Sequence, residues 1–233
     1  MDEVVEEVKF VIGDTETCGL PPHHYPCELG LMQIDPVTFD VLWETVSLID
    51  PEYPIGAKAS EIHGITDDMV VDSPTLAEFV EHRLHGGITG DITMIAHNFQ
   101  FDSRALTQCG KVSRTICSLF EARQSLTHLK DLQNHQLQTL AAYFGITAGK
   151  AHSALGDCDT TRQVLKKICE ITGRTLEQLA QAKDRTVHTM PFGKHKGTLI
   201  VMLDKQYMVW LLALPDLEAN LRKSLEKAMG LRK

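Results

Sequence analysis

Asp14 and Glu16 stand two residues apart at the close of a short apolar run, Lys9 to Gly13. On an extended chain residues i and i+2 point to the same side, so the two carboxylates face one way. They repel each other unless a cation lies between them. A third acid, Asp102, closes the stretch His97-Asn98-Phe99-Gln100-Phe101-Asp102, which follows the apolar segment Ile92 to Ala96. On a helix over Phe99 to Cys109 it shares a face with Leu106 and Cys109, the stripe that must face the core. An acid at the head of a buried stripe is costly unless it meets a metal or a donor. His152 to Asp157 leads into the longest periodic segment, where Asp157, Thr161, Val164, Ile168 and Ile171 step by 4, 3, 4 and 3. Taken singly, each has a plainer reading: a chance Asp-x-Glu, a first-turn Asp favoured by the helix dipole, a structural His. Taken in order they supply four carboxylates and one imidazole, all at strand ends or helix heads that can meet at one sheet edge. All-oxygen ligation suits Mg²⁺ or Mn²⁺ rather than zinc.

The elements that must position these groups are legible in outline. Lys9 to Gly13, Glu28 to Ile34 and Val37 to Ile49 read as strands of an antiparallel meander, with Asp35-Pro36 as a turn and the loop Pro21 to Pro26 between the first two. After Pro54 the pattern turns helical: Asp67-Asp68 open a short helix, and Ser73-Pro74 starts another over Thr75 to Leu84. Asp91 to Ala96 and Val112 to Cys117 read as further strands. Helices are expected over Phe99 to Cys109, Ser118 to Leu126, Leu137 to Phe144 and Gly156 to Ile171. Strands first, then strand–helix alternation, predict an α/β fold with a mixed sheet flanked by helices. Thr172 to Arg185 reads as a connector containing a helix at Leu176 to Ala182. Beyond it a hairpin around Phe192 to Leu203 and helices over Lys205 to Leu214 and Leu217 to Met229 predict a small α+β appendage.

Composition narrows the function class. The 233 residues are 43% apolar and 23% charged, an ordinary globular mixture able to form a core without disulfides. The longest apolar run, the seven residues Met208 to Leu214, is far short of a membrane span. The acidic start lacks the order of a signal peptide. Cysteines 18, 27, 109, 117, 158 and 169 are scattered with no Cys-x-x-Cys, which predicts reduced thiols and a cytoplasmic location. The net charge of −8 argues against a polyanion partner, but it is unevenly spread. Residues 1–182 carry 13 Lys/Arg against 26 Asp/Glu, and residues 183–233 carry 10 against 5. That asymmetry is a hint of two units, one of which meets a polyanion.

Asp14-Thr15-Glu16-Thr17, His97-Asn98 through Phe101-Asp102, and His152 to Asp157 together resemble the motifs of the DEDDh exonucleases, a group with the ribonuclease H-like fold. Ile62-His63-Gly64-Ile65-Thr66 is similar to a segment common in that group. The resemblance spans residues 8–172, leaving 173–186 as a linker and 187–233 as an accessory domain similar to an extension found in one branch of the family. Phe99 departs from the pattern, where a small residue is usual, and puts the shape of the pocket beside Asp102 in question.

The resemblance implies hydrolysis of terminal phosphodiesters of single- or double-stranded DNA, 3′ to 5′, releasing nucleoside 5′-monophosphates. Two Mg²⁺ or Mn²⁺ ions about 3.5–4 Å apart would clamp the phosphate. It implies that Asp14 bridges both ions, that Glu16 and Asp157 complete the one holding the attacking water, and that Asp102 holds the other near the leaving 3′ oxygen. His152 is implied as the general base, neutral when it acts, so activity rises with pH. Thr15, Leu20, Ile62, His63 and Asn98 are implied around the terminal nucleotide. The alternatives are an exoribonuclease trimming RNA 3′ ends and a non-catalytic binding subunit; a homodimer is left open. In the tail, Phe192-Gly193-Lys194-His195-Lys196-Gly197 lacks the upstream glycine of a P-loop. It reads either as a turn offering its basic residues to a phosphate backbone or as a plain tight turn. Tyr207, Trp210, Leu211 and Leu214 have helical spacing and are expected in the core.

Overall fold

One five-stranded sheet, ordered β3-β2-β1-β4-β5, organises the computed structural model, which describes residues 9–20, 24–83, 90–147, 152–181, 190–196, 198 and 200–231. The strands are β1 (Lys9–Thr17), β2 (Pro26–Ile34), β3 (Val41–Leu48), β4 (Asp91–Ala96) and β5 (Lys111–Cys117). β1, β2 and β3 form the expected antiparallel meander, whereas β4 and β5 add in parallel on the other side of β1. β4 is buried from Ile92 through Ala96, as a strand covered on both faces must be. β3 lies at the edge, begins later than expected and leaves Val41, Leu42 and Val46 exposed. The Asp35 carboxylate accepts from the N–H groups of Val37 and Thr38, which turns the chain where the sequence suggested strand.

The first unit, Met1–Gln181, also holds eight helices among its described residues: α1 (Ala57–His63), α2 (Asp67–Val70), α3 (Leu76–Arg83), α4 (Phe99–Leu106), α5 (Ser118–Ser125), α6 (Leu137–Phe144), α7 (Ala154–Thr172) and α8 (Leu176–Gln181). One sheet face buries Phe10, Ile12 and Ile95 against Cys158 and Leu165 of α7 and Leu176 and Leu179 of α8. The other buries Val11, Leu31 and Met94 against Phe79 of α3 and Leu106 of α4. α5 and α6 close over the outer side of α7 through Leu126, Leu140, Val164 and Ile168. The α7 stripe differs from expectation at its end: Ile171 is 45% exposed, because Cys158, Leu165 and Cys169 carry the face against the sheet. α8, expected in a connector, packs into the first unit's core.

The second unit, Ala182–Lys233, contains a 3-10 turn at Ile200–Met202, α9 (Lys205–Leu212) and α10 (Ala219–Ala228). Where a hairpin was expected, the described residues form turns with no strand; Met190 N–H still donates across to the Thr198 carbonyl. Residues 182–189, 197 and 199 lie outside the described residues, as do 21–23 of the Pro-rich loop. α9 buries Met208 and Leu211 rather than Tyr207 and Trp210, and Trp210 is 53% exposed. No helix among the described residues is long and apolar enough to cross a membrane.

Candidate active site

β1 is longer than the partner that runs parallel to it. Its pairing with β4 ends at Ile12↔Ile95, so the segment Asp14 to Thr17 runs on with only β2 beside it. Asp14 lies opposite Gly30 and Glu16 opposite Glu28. By strand alternation Asp14 and Glu16 face the α7 side with Ile12, and Thr15 faces the α4 side with Val11. Two helices then bring the remaining acids to this free end.

Asp102 arrives from α4. Its Oδ1 accepts from the Thr15 N–H at 3.2 Å and from the Thr15 hydroxyl at 2.6 Å, taking the place of a β4 partner. A Cβ on Gly13 would overlap Leu106 Cδ2, so the bare glycine leaves room for this α4 side chain on β1. Phe99, the departure from the family pattern, packs on the core beneath α4. Asn98 precedes α4 at φ 71°, exposed, with no side-chain bond to the helix end.

Asp157 and His152 arrive with α7. A Cβ on Gly30 would meet the Ala154 carbonyl carbon and the Leu155 nitrogen, each at 2.7 Å, so backbone packs directly on backbone here. The Cys158 thiol lies 3.5 Å from the Gly30 carbonyl and 3.7 Å from that of Ile12, with its one proton available to either, so the helix sits on both strands. The Glu28 carboxylate accepts from Ala154 N–H at 2.7 Å and so pins the helix start beside His152, which holds φ 59°. Gln138 of α6 donates to Asp157 Oδ1 at 2.9 Å. Ligand atoms of Glu16, His152 and Asp157 all lie within 4.8 Å of one another.

The electrostatics are those of a site short of positive charge. Burial first, then the charges of Asp102, Asp157, Glu16 and Glu28, pushes the Asp14 carboxyl well above the carboxylate range. Burial, then the charges of Asp157, Glu28 and Asp102, carries Glu16 up to about 7. Burial carries Asp102 to about 7 against the opposing pull of the Thr15 bonds. Burial raises Asp157 too, with His152 and Gln138 opposing. None of the ion pairs among the described residues involves these four acids. A donor set of carboxylate oxygens, each pushed toward its neutral form by its surroundings, fits hard divalent cations.

The remaining sequence candidates separate by exposure. Leu20 and Ile62 are 78% and 58% exposed. His63 is buried: its Nδ1 accepts from Ile65 N–H at 3.0 Å and its Nε2 faces the Thr17 carbonyl at 3.3 Å. Nε2 thus meets the end of β1 while Nδ1 holds the loop after α1, and burial lowers the ring's proton affinity. His97 is likewise internal, between Ser118 Oγ and the His135 carbonyl, and burial takes it down to about 4. Sequence reasoning missed Glu28, Gly30 and Gln138. The cue for Glu28 was its place on the strand facing Glu16; Gly30 and Gln138 left no signal short of the packing itself.

A ribonuclease H-like sheet with acids gathered at the free end of its first strand is the framework of a nuclease. Residues 11–165 match the family profile described as Exonuclease, and this chain belongs to that family, as a DEDDh-type 3′–5′ exonuclease. It is 30% identical over 227 residues to Exodeoxyribonuclease 10 of Escherichia coli K12, spanning 91% of this chain and 97% of that protein. The solved structure of Exonuclease X in complex with 5′ overhanging duplex DNA covers 73% of this chain and 97% of its own, at 27% identity and a TM-score of 0.58. The nuclease domain of 3′hExo, a DEDDh family member bound to rAMP, shares the fold at 16% identity and a TM-score of 0.56 over 71% of this chain. Residues 173–215 match a second profile, described as a putative quorum-sensing-regulated virulence factor.

Proposed function

We propose that this chain shortens DNA from its 3′ end, releasing nucleoside 5′-monophosphates, with DNA preferred over RNA. The reading is supported by Glu16, His152 and Asp157 lying within 4.8 Å of one another at the free end of β1, by Asp102 bonded to Thr15 between the β1 acids, and by the pull of Asp102, Asp157 and Glu16 on Asp14. DNA as substrate is supported by the likeness to Exodeoxyribonuclease 10, which spans both units. Asp14, Glu16, Asp102 and Asp157 would hold two Mg²⁺ or Mn²⁺ ions. Bound there, the ions would supply positive charge against the scissile phosphate and ease loss of a proton from the attacking water.

The chain's own residues do the rest. His152, on the exposed side of the cluster, takes the proton of the attacking water as its oxygen bonds to phosphorus. The bond from phosphorus to the 3′ oxygen breaks and that oxygen takes a proton from solvent, leaving a shortened strand with a 3′-hydroxyl and a nucleoside 5′-monophosphate. Thr15 holds Asp102 in place with both its N–H and its hydroxyl. Leu20 and Ile62 offer apolar surface to the terminal base, Asn98 a polar contact, and His63 positions the β1 end rather than touching substrate. Residues up to 181 form the nuclease domain and those from 182 an accessory domain.

A digestion of matched 3′- and 5′-labelled DNA and RNA, single- and double-stranded, with Mg²⁺ and product sizes resolved, tests this. Mononucleotides released from DNA 3′ ends are expected; faster digestion of RNA, or internal cuts, would overturn the reading. His152→Ala should lower the rate roughly 10²–10⁴-fold, and Asp14→Ala should abolish metal-dependent cleavage.

A further inference from the structure

The second unit carries aromatic and basic groups that the exonuclease site does not use. Gly193, at φ 73°, turns the chain so that Lys196 N–H donates to its carbonyl and Thr198 N–H to that of His195. The turn presents Phe192, Lys194 and Lys196 to solvent. The His195 ring lies 4.5 Å from that of Tyr207, and Tyr207 stacks on Trp210 one helical turn along α9, centroids 5.5 Å apart at 25°. Lys194 Nζ sits 5.3 Å over the Tyr207 ring. Phe192 and Trp210 are 44% and 53% exposed, although large aromatics ordinarily go inside.

The unit has its own core without them: Ile200, Leu203, Met208, Leu211, Leu221 and Leu225 are buried. Two of its acids are engaged elsewhere, at the helix starts. Asp204 accepts from the N–H groups of Gln206 and Tyr207, and Glu218 from those of Asn220 and Leu221. The exposed aromatic row is therefore flanked by cations in a segment, residues 183–233, with 10 Lys/Arg against 5 Asp/Glu.

We propose that this surface is a second nucleic-acid site, a stacking platform for single-stranded DNA. An unpaired base lies on the open face of Trp210, and Lys194 and Lys196 take the phosphates beside it. Stacking needs no particular base, because every base has a π-face, so the site is sequence-tolerant. It grips the strand independently of the metal centre, and tethering on one chain raises the local concentration of strand for the nuclease unit.

The test is fluorescence anisotropy of the full chain with a labelled 15-nucleotide dT strand, in chelator, across a salt series. Trp210→Leu is expected to weaken binding roughly 5–50-fold, and Trp210→Phe, which keeps a π-face, to recover most of it. Lys194→Glu combined with Lys196→Glu should reduce the slope of log affinity against log salt by about 1.4, the value for two phosphates on a single strand. Unchanged binding in Trp210→Leu and in the lysine pair, or a loss in Trp210→Leu that Trp210→Phe does not recover, overturns the proposal. Metal-dependent digestion by the unaltered chain answers the exonuclease reading separately, so either can fail alone.

Discussion

Replacing Asp102 with Asn should make the metal-free protein more stable while disabling it. The amide oxygen can still accept from the Thr15 N–H and hydroxyl, so the two bonds survive and only the charge is removed. Asp102 rises from 3.8 to about 7 on folding, chiefly through burial. Below about pH 4 the acid is neutral in both folded and unfolded chains and costs nothing. Between 4 and 7 the folded state keeps a proton that the unfolded state gives up, so stability falls as pH rises. Above 7 the full penalty applies, about 4 kcal/mol at roughly 1.4 kcal/mol per tenfold change in proton affinity. Asp102 in turn raises Asp14, and a penalty carried by two interacting acids belongs to the pair, so about half that figure, near 2 kcal/mol, is the working expectation for one of them. For a domain of this size that is about 4–8 °C in melting temperature. The assay is thermal unfolding of parent and variant in chelator at pH 4.5 and 8, repeated with Mn²⁺. The Asp102→Asn variant should gain at pH 8 and lose the advantage at pH 4.5, and added metal should restore the parent but not the variant. A variant that melts at or below the parent at pH 8 in chelator would refute the idea that folding buries this charge at a cost that metal offsets.

Three further outcomes follow from the packing. Gly30→Ala puts a methyl within 2.7 Å of α7 backbone, so it should cost roughly 1–3 kcal/mol in unfolding and, by moving His152 and Asp157, up to about 10²-fold in kcat. Normal turnover in that variant would count against backbone contact as the device that places α7. Glu28→Ala, which removes the acceptor for Ala154 N–H, should lower kcat about tenfold with little change in KM, and Glu28→Gln should recover most of it; equal loss in both would mean the charge matters and not the bond. Chelation should stop hydrolysis entirely and excess Mg²⁺ restore it, read on a 3′-labelled strand.

Much of this was written in the order of residues along the chain. The apolar run before Asp14, the i, i+4, i+7 stripe behind Asp102 and the long periodic helix behind Asp157 name the elements and their heads, because periodicity is a local property of the chain. The meander of β1, β2 and β3 follows for the same reason: short connections leave adjacent strands little choice but to pair. The tertiary structure alone decided what the heads meet. Gly13 and Gly30 look like any other glycines until α4 and α7 are laid on opposite faces of the sheet. Trp210 looks like core until Met208 and Leu211 are seen to fill that place. Such outcomes depend on contacts between residues far apart in sequence, some more than a hundred positions apart as for Glu28 and Ala154. No window along a single chain contains them.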